Sequence, residues 1–519
     1  MTIEGDAPDE AREQAAILDF LQQAEPGMQR IDTHASIVFL GRSRVLKIKR
    51  AVRLPFLDYS TLARRRRACE QELEINRPFA PQIYQRVLPI TRDAAGLRID
   101  GGGQVVEWAV EMARFDETLG FEHLAARDEI PTPLAIALAD AIAAAHQQQP
   151  PLRATGWVAS ISGLIARNTD RFRSIEGIAA ADIGRLDAMS AAALLARQRL
   201  LSERTEAGFV RRCHGDLHLG NIVLIDGRPV LFDALVFDPA LATTDILYDL
   251  AFPLMDLIRY GRTTAANALF NRYMELSADA NRDALALLPL FLSMRAAIRA
   301  HVLFTMSEQS VNNRTADRKE ARLYFDLALA LIDPAPPRMV AVGGMSGTGK
   351  SELARRLAPM LGPAPGAMVL RSDVIRKKLF GVSETERLPE QAYTLEVTAR
   401  VYDLLLSGAT EVAAQGHSVI LDAAFLRDSE RTIFDRGAPP AIPHHGLFLT
   451  ADRAVRVARI GQRRNDASDA TAAIAIRQES MLLGPVEWPA IDAGGSPEQT
   501  LARACSRLEI EGKSGGGRP

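Results

Sequence analysis

The chain has 519 residues, a formal net charge of −2 and a pI of about 6.5. A single hydrophobic core does not grow to this length, so several structural units are expected. Hydrophobic residues make up 47% and charged residues 24%, a balance that excludes a disordered or fibrous chain. The near-neutral charge also gives no sign of a polyanionic partner, and we expect no nucleic-acid binding.

Cysteine usage and the N-terminus indicate the compartment. Cys69, Cys213 and Cys505 are far apart and form no metal-ligand spacing, which fits a reducing cytoplasm. Residues 1–14 are acidic and lack the apolar region of a signal peptide. No apolar run reaches the ~18 residues that span a bilayer. We therefore expect a cytoplasmic protein without a membrane partner; the sequence does not define its oligomeric state.

The first third of the chain has the pattern of a small β-rich lobe. Residues 31–50 and 83–114 alternate in apolar content, which predicts strands of an antiparallel sheet. A helix is predicted between them, over Leu62–Asn76. The run Arg64–Arg67 within that helix is interpreted as a solvated face.

Helices dominate from about residue 130, among them a buried one over Leu134–His146. A hairpin is predicted at 222–234, where two apolar runs flank Asp226-Gly227, a strong two-residue turn signal. A small β-rich lobe followed by a helical lobe predicts an α+β bilobal unit, with lobes at about 25–115 and 116–333.

The segment DPAPPR at 333–338 predicts the main domain boundary. Its three prolines cannot continue the helical stretch from about Ala280 to Leu331 that precedes it. The apolar run MVAVGG that follows predicts a buried strand feeding a loop. We place the two domains at 1–333 and 338–510, with 334–338 as linker, and expect a disordered Gly-rich tail at 511–519.

The motif His-Gly-Asp-Leu-His-Leu-Gly-Asn at 214–221 has the spacing of a phosphotransfer catalytic loop. Phosphoryl transfer needs an oriented nucleophile, held phosphates and metal ions that neutralise charge. An Asp that accepts the hydroxyl proton is followed five residues later by an Asn that binds magnesium, and a further Asp lies on the next hairpin. Asp216, Asn221 and Asp233 match these three positions.

The motif strongly resembles the catalytic loop of the aminoglycoside phosphotransferase family, which also includes choline and homoserine kinases. The resemblance implies a protein-kinase-like fold, with Asp216 as catalytic base and Asn221 and Asp233 as Mg²⁺ ligands. It gives His214 a structural role in the loop. Asp245 and Asp249 resemble the family's buttressing helix, so we interpret them as structural first.

The same resemblance assigns the ATP site of the small lobe. It requires a Lys for the α/β-phosphates and a Glu that holds it. Lys47 and Lys49 share one face of a strand, and we favour Lys47. The helix offers three acidic partners, of which we favour Glu72; they are Glu70, Glu72 and Glu74.

The adenine and the loop above the phosphates are less defined. The strand Trp108–Arg114 resembles the hinge, where backbone groups near Glu111 and Met112 would contact adenine. No G-x-G-x-x-G precedes Lys47; residues 33–36 stand in its place. This departure leaves open the alternative that this domain binds nucleotide without turnover.

A complete P-loop, G-x-x-x-x-G-K-S, occupies residues 344–351. A predicted strand precedes it and a predicted helix, Glu352–Leu361, follows, which is the context that a P-loop requires. Backbone N–H groups from Ser346 to Lys350 would cradle the phosphates of ATP. Lys350 would reach the β/γ-phosphates and Ser351 would bind Mg²⁺. The candidate ATP-binding set comprises Gly344, Ser346, Gly347, Thr348, Gly349, Lys350 and Ser351.

The next strand, Ala367–Arg371, runs into Ser-Asp-Val-Ile-Arg. In a doubly wound parallel sheet, ligands bind beyond the carboxyl ends of the strands, so Asp373 would project beside the P-loop as a base. Arg376 lies one helical turn further and would hold the acceptor or its phosphate. Asp373 as a helix N-cap is the alternative interpretation.

Two further segments complete the second candidate site. A strand at Ser418–Leu421 ends in Asp422, which resembles a Walker B metal ligand. After another strand, Gly446–Thr450, a basic helix carries arginines whose spacing suits a lid over phosphates, with Arg459 and Arg463 as candidate ATP contacts. A merely solvated basic helix is the alternative.

The S-D-x-x-R arrangement resembles small P-loop kinases such as gluconate kinase, chloramphenicol phosphotransferase, polynucleotide 5′-kinase and zeta-toxin-type kinases. As a whole, the chain resembles bacterial proteins that join an aminoglycoside phosphotransferase-like domain to a P-loop (AAA-type) kinase domain. The resemblance implies two Mg-ATP-dependent kinase modules that phosphorylate hydroxyls of unidentified small molecules. One module that binds nucleotide and regulates the other is the alternative. A P-loop half that acts on nucleotide sugars or nucleic-acid ends is a third hypothesis, and the near-neutral pI weakens its nucleic-acid version.

Overall fold

The computed structural model describes the residues 7–33, 35–54, 57–154, 156–277, 281–309, 314–462, 467–481 and 485–510. The predicted disordered tail at 511–519 lies outside these residues.

The described residues form the following helices and strands. The α-helices in chain order are α1 Ala7–Gln23, α2 Leu62–Asn76, α3 Phe121–Ala126, α4 Thr132–Gln148, α5 Gly156–Arg173, α6 Ala180–Glu206, α7 Pro239–Ala242, α8 Ile246–Arg259, α9 Thr263–Ser277, α10 Leu288–Gln309, α11 Arg314–Ile332, α12 Lys350–Leu357, α13 Ser372–Leu379, α14 Leu395–Ala414, α15 Asp428–Gly437, α16 Arg453–Gly461, α17 Ala472–Arg477 and α18 Pro497–Arg507. The strands are β1 Gln29–Asp32, β2 Ser36–Leu40, β3 Arg44–Lys49, β4 Arg53–Leu54, β5 Leu57–Asp58, β6 Tyr84–Asp93, β7 Gly96–Ile99, β8 Gln104–Ala113, β9 Val210–Arg212, β10 Ile222–Ile225, β11 Arg228–Leu231, β12 Thr243–Asp245, β13 Met339–Gly344, β14 Met368–Arg371, β15 Val419–Asp422, β16 His444–Thr450 and β17 Ala490–Asp492.

The chain forms two compact units. One consists of Met1–Ile161 and Leu201–Asp256, the other of Ser162–Leu200 and Leu257–Pro519. Helices that precede the Pro-rich segment thus belong to the same compact unit as the P-loop. The boundary at 334–338 stays a prediction about sequence modules.

An antiparallel sheet of six strands dominates the first unit, in the order β1-β2-β3-β8-β6-β7. It confirms the strands predicted from period-2 alternation at 31–50 and 83–114, because alternate residues such as Phe39, Leu46 and Ile90 bury completely on one face. The predicted helix is confirmed as α2, whose N-terminus is capped by the side chain of Thr61.

Arg65 corrects the prediction of a solvated arginine run. It is 3% exposed, and its Nε donates to Glu107 on β8 at 2.9 Å. By contrast, the side chains of Arg64 and Arg66 are 50% and 55% exposed. The run lies on a helix, so one of its members necessarily faces the sheet, and it is tolerated there because Glu107 supplies the opposite charge.

The helical part of the first unit carries the predicted hairpin and buried helix. Strands β10 and β11 pair antiparallel, with Ile225 opposite Arg228, which confirms the turn at Asp226-Gly227. Both turn residues have positive φ, at 49° and 73°, as a type I′ turn requires. The helix predicted at Leu134–His146 is confirmed within α4, which buries Leu138 and Ile142.

In the second unit, the helical stretch before the Pro-rich segment is divided into α10 and α11. One stretch among the described residues, Asp283–Glu308, is long and apolar enough by composition to span a membrane. Its mean hydropathy is 1.4, and 67% of its apolar window is buried inside the protein. That burial is the behaviour of a core helix.

A five-stranded, all-parallel sheet forms the centre of the second unit, in the order β14-β15-β13-β16-β17. It confirms the predicted α/β architecture. The first strand of the set, β13, lies between β15 and β16, which follow it in the chain on opposite sides. The loop after β13 therefore opens at the topological switch point, where such sheets bind their ligands.

Helix α9 covers the edge strand β14 through two asparagine side chains. Asn267 Nδ2 donates to the carbonyl oxygens of Pro365 and Ala367 at 3.2 and 3.0 Å. Asn271 Oδ1 accepts from the Val369 N–H at 2.7 Å. The amides satisfy backbone groups that an edge strand otherwise leaves unpaired, which explains why α9 belongs to the P-loop unit.

His417, before β15, gives this unit a pH-dependent stability. The ring donates from Nε2 to the Gly366 carbonyl at 2.9 Å, and burial lowers its pKa to about 4. The unfolded state therefore takes up the proton first as pH falls. We expect the contribution of His417 to the free energy of unfolding to be fully present above pH 6.5. It should fall by on the order of 3 kcal/mol as the pH approaches 4.

The variant His417→Gln keeps an amide donor but does not titrate. Hydrogen exchange of the β14 and β15 amides at several pH values should show a shallower loss of protection below pH 6.5 in this variant. An unchanged slope would contradict the assignment to His417.

Candidate functional sites

Lys47 lies at the centre of an ion-pair network in the first unit. Its Nζ is 2.8 Å from Glu72 Oε1 on α2 and 2.7 Å from Asp233 Oδ1 after β11. Lys49, on the same strand face, also contacts Glu72. Of the three acidic candidates on α2, Glu72 is thus the partner, whereas Glu70 pairs with Arg66 at the surface.

The electrostatics keep this network charged. Glu72 is 1% exposed. Burial alone raises its pKa, but the ammonium groups of Lys47 and Lys49 outweigh burial and lower it. In the same way burial opposes the charge of Lys47, yet Asp233 and Glu72 raise its pKa well above the usual range. The lysine is therefore a fixed cation above the end of the hairpin.

Asp233 is held in a strained backbone conformation. Its φ is 58°, in the left-handed region that a non-glycine residue rarely adopts. Two hydrogen bonds hold the backbone there: the Asp233 N–H donates to the Tyr84 hydroxyl at 3.1 Å, and the Ala234 N–H to Asn76 Oδ1 at 2.6 Å. The strain turns the carboxylate toward Lys47.

The loop at 214–221 brings Asp216 and Asn221 together. Asn221 Nδ2 donates to the Asp216 carbonyl at 2.9 Å and to its Oδ2 at 3.2 Å. Among the described residues, no hydrogen bond reaches the Asn221 amide oxygen, so it is available for other contacts. Asp216 has a side chain 42% exposed, as an acceptor-facing carboxylate needs.

Buried polar side chains support the loop from below. His214 donates from Nε2 to the Phe232 carbonyl at 2.9 Å, and burial lowers its pKa. Asp249 accepts from the Gly215 N–H at 2.9 Å and contacts His146 Nε2 at 3.2 Å. Asp245 pairs with Arg204. The two later carboxylates thus have structural partners, as their interpretation required.

The predicted adenine contacts lie inside β8. Met112 is opposite Val45 in the sheet and is 7% exposed, and Glu111 pairs with Arg86 at 2.8 Å. In the segment before β2, Thr33 Oγ1 donates to the Ser36 carbonyl at 2.8 Å; His34 lies outside the described residues. The nucleotide contacts assigned to these residues stay predictions.

In the second unit, the loop after β13 has the left-handed glycines that a phosphate cradle needs. Gly344, Gly347 and Gly349 have φ of 137°, 87° and 93°. A Cβ on Gly347 would lie 2.5 Å from the Arg456 carbonyl oxygen, so only glycine fits. Thr348 closes the loop by donating to the Met345 carbonyl at 2.8 Å.

Two side chains form hydrogen bonds with this loop. Lys350, at the start of α12, donates from Nζ to the Met345 carbonyl at 3.1 Å. The Ser346 N–H donates to Gln478 Oε1 at 2.7 Å. The side-chain amide oxygen of Gln478 therefore occupies the position where a P-loop N–H would donate to a phosphate oxygen.

The predicted metal ligands Ser351 and Asp422 both accept hydrogen bonds from one guanidinium group, that of Arg371. Arg371, the last residue of β14, donates from Nη2 to Ser351 Oγ and from Nε to Asp422 Oδ2, both at 3.3 Å. A hydroxyl and a carboxylate that share a cation are hard oxygen donors of the kind that Mg²⁺ prefers.

Asp373 and Arg376 differ in their surroundings. Burial and the neighbouring charge of Asp422 raise the pKa of Asp373, while Arg371 and Lys350 oppose the rise. The Ser468 hydroxyl donates to the same carboxylate. Arg376 is 7% exposed and donates from Nη1 to the Ala392 carbonyl at 2.6 Å. The Arg376 side chain on α13 is thus buried, and its acceptor-binding role stays a prediction.

The predicted lid arginines have mostly backbone partners. Arg459 on α16 donates to the carbonyls of Ala493 and Gly495 at 2.8 and 2.9 Å. It also lies 3.4 Å from the Thr348 carbonyl in the P-loop. Arg463 lies outside the described residues. Arg459 is therefore close enough to the loop for a phosphate contact, which stays a prediction.

Three residues near these sites were missed by the sequence reasoning: His218, Arg371 and Gln478. Arg371 directly precedes the Ser-Asp pair at a strand's carboxyl end, a position that could have drawn attention. His218 lies within the quoted loop motif. Gln478 carries no local signal, because it reaches the P-loop from more than a hundred residues away.

Comparisons with known proteins match a family to each of two stretches of the chain. Residues 41–288 match the phosphotransferase enzyme family, and residues 339–482 match an AAA domain family. An uncharacterized protein of Mycobacterium tuberculosis (strain ATCC 25618 / H37Rv) is 29% identical over 496 residues, which cover 92% of this chain and 95% of that protein. A protein of Mycobacterium bovis matches with the same identity and coverage.

Two solved structures illustrate the two halves. A choline/ethanolamine kinase family protein from Mesorhizobium loti is 14% identical and covers 63% of this chain and 99% of its own, with a TM-score of 0.36. A sugar kinase from Janibacter sp. HTCC2649 is 24% identical and covers 34% of this chain and 96% of its own, with a TM-score of 0.28. From the matched families, the chain joins a protein-kinase-like domain of the phosphotransferase enzyme family to a P-loop, kinase-like AAA domain.

Proposed function

We propose that the chain is a cytoplasmic, ATP-dependent phosphotransferase with two kinase sites, each of which transfers the γ-phosphate of Mg-ATP to a hydroxyl of a small molecule. The observation that carries the proposal is the joint placement of Lys47, Glu72, Asp233, Asp216 and Asn221 in one unit. These are the groups that phosphoryl transfer requires. Lys47 contacts Glu72 and Asp233, and Asn221 contacts Asp216.

At the first site, Lys47 would hold the phosphates and Asp216 would take the proton of the acceptor hydroxyl. The acceptor oxygen forms a bond to the γ-phosphorus, the bond from phosphorus to the bridging oxygen breaks, and its electron pair leaves with ADP. The oxygens of Asn221 and Asp233 fit Mg²⁺, which when bound neutralises charge on the phosphates. Asp233 already lies beside a cation, Lys47, at 2.7 Å.

At the second site, the P-loop N–H groups and Lys350 would hold the phosphates. Ser351 and Asp422 fit Mg²⁺, since both already lie 3.3 Å from one cationic group. Asp373 would orient the acceptor hydroxyl, because its carboxylate lies at the carboxyl end of β14 next to these groups.

An acceptor screen with the full chain tests the proposal. Sugars, amino alcohols and nucleosides are offered with Mg-ATP, and ATP loss is recorded for the protein and for the variants Asp216→Asn, Lys350→Ala and the two combined. We expect each single variant to lose a different acceptor-dependent activity and the combined variant to lose both. An acceptor-dependent ATP loss that survives in the combined variant contradicts at least one of the two site assignments.

Gln478 is expected to compete with nucleotide at the P-loop. Its carbonyl oxygen accepts the Ser346 N–H that would otherwise bind phosphate. Removing a hydrogen bond of about 0.5–1.5 kcal/mol should tighten nucleotide binding about 3–10-fold in Gln478→Ala. The measurement is titration with a fluorescent ADP analogue in a Lys47→Ala background, where the first site is weakened.

Gln462→Ala is the matched control, since Gln462 is an exposed residue at the end of α16. Its affinity should equal that of the background. Weaker binding in Gln478→Ala would mean that Gln478 contacts the nucleotide instead of competing with it.

A further inference from the structure

The imidazole of His218 is fixed in one tautomer beside the candidate base. The Gly220 N–H, which can only donate, is 3.1 Å from His218 Nδ1. Nδ1 must therefore carry the lone pair, and the neutral ring carries its proton on Nε2. That nitrogen lies 3.6 Å from Asp216 Oδ2, slightly beyond hydrogen-bond length. Catalytic contacts of this kind tighten when the substrate complex forms.

Neighbouring residues restrict the orientation of the His218 ring. A Cβ on Gly220 would lie 2.9 Å from His218 Cε1 and 3.0 Å from Nδ1, so glycine alone lets the ring lie against the loop. Phe252 packs on it, with ring centroids 5.7 Å apart. The side chain is 16% exposed, which leaves it few other orientations.

His218 and Asn221 address the same carboxylate oxygen. Asn221 Nδ2 lies 3.2 Å from Asp216 Oδ2, the atom that His218 Nε2 also faces. Within the described residues both contacts go to Oδ2, which leaves Oδ1 of this side chain, 42% exposed, for the acceptor. A base held by two donors on one oxygen presents the other in a fixed direction.

We propose that His218 is a positioning residue: its Nε2–H holds Asp216 Oδ2 so that Oδ1 receives the proton of the acceptor hydroxyl. This inference rests on the proposed function of the first site. His218 acts as a neutral donor, so no change of its protonation is involved.

Two conservative variants separate this role from support of the loop. In His218→Gln the amide nitrogen stands near the position of Nε2 and can still donate to Asp216. In His218→Asn the amide oxygen stands near Nδ1 and can still accept from Gly220. The assay is ATP consumption by the full chain carrying Lys350→Ala, with an acceptor from the screen, or with water as acceptor if none is found.

We expect His218→Ala and His218→Asn to lower kcat about 10–100-fold, with the KM for ATP within about twofold, and His218→Gln to recover most of the loss. Any other ranking, including equal losses in both amide variants or recovery in the asparagine variant, overturns the inference. Asp216→Asn in the same background tests the premise: if it keeps full turnover, the proposed function of this site fails, whatever the His218 variants show.

Discussion

Asp216→Asn is expected to lower turnover at the first site about 10²–10⁴-fold, the range that general-base groups contribute. The amide keeps the size of the side chain and its contact with Asn221, but it cannot take the proton of the acceptor hydroxyl. ATP affinity should change little, because the Lys47–Glu72 pair, which we propose to hold the phosphates, is unchanged. Kinetics of the full chain carrying Lys350→Ala, with an acceptor from the screen or with water, measure the effect.

Asp226→Asn is the matched control for this change. Asp226 is exposed at the turn of the next hairpin, at φ 49°, a conformation that asparagine also tolerates. The control should keep the turnover of the background. If Asp216→Asn loses no more than Asp226→Asn, Asp216 is not the base, and the first unit would be a nucleotide-binding domain without transfer.

Local patterns predicted most of the fold. The hairpin at Asp226-Gly227 and the helix α2 follow from turn chemistry and apolar periodicity, which depend on neighbouring residues only. The P-loop could be predicted because its motif places glycines where the backbone needs positive φ. The contact between Asp216 and Asn221 is also local, because the two residues are five positions apart in one short loop.

Long-range pairs were beyond such patterns. A run of four arginines on a helix predicts a solvated face, and the local pattern does not reveal that Arg65 meets Glu107, which comes from a strand 42 residues away. The choice of Glu72 over its neighbours depends on which face of α2 meets β3, which spacing alone does not define.

The grouping of α9 with the P-loop sheet has the same origin. Asn267 and Asn271 are four residues apart on one helix face, an unremarkable pattern in a helix. Their role becomes visible only when β14 is found at the sheet edge with backbone groups to satisfy. The sequence marks a module boundary at the prolines, while packing assigns the preceding helices to the unit that they cover.

Asp245→Ala is expected to lower the free energy of unfolding of the first unit by about 3–5 kcal/mol, because it removes the carboxylate that pairs with a buried arginine. Arg204 donates from Nε and Nη2 to the two Asp245 oxygens at 2.6 and 2.9 Å. Their side chains are 2% and 0% exposed. Hydrogen exchange of the β9 and β12 amides should show protection lower by about 10²–10⁴-fold in the full-length variant.

Two comparisons isolate the buried charge as the cause. Glu70→Ala breaks the exposed pair with Arg66, whose side chains are 50% and 55% exposed, and should cost less than about 1 kcal/mol. The double variant Arg204→Met, Asp245→Ala removes both charges and should regain much of the loss. The penalty lies in a buried guanidinium that has lost the Asp245 carboxylate, and methionine replaces the apolar stem of that side chain. A single variant no worse than Glu70→Ala, or a double variant worse than the single, would show that packing around Asp245, and not its charge, stabilises this part of the first unit.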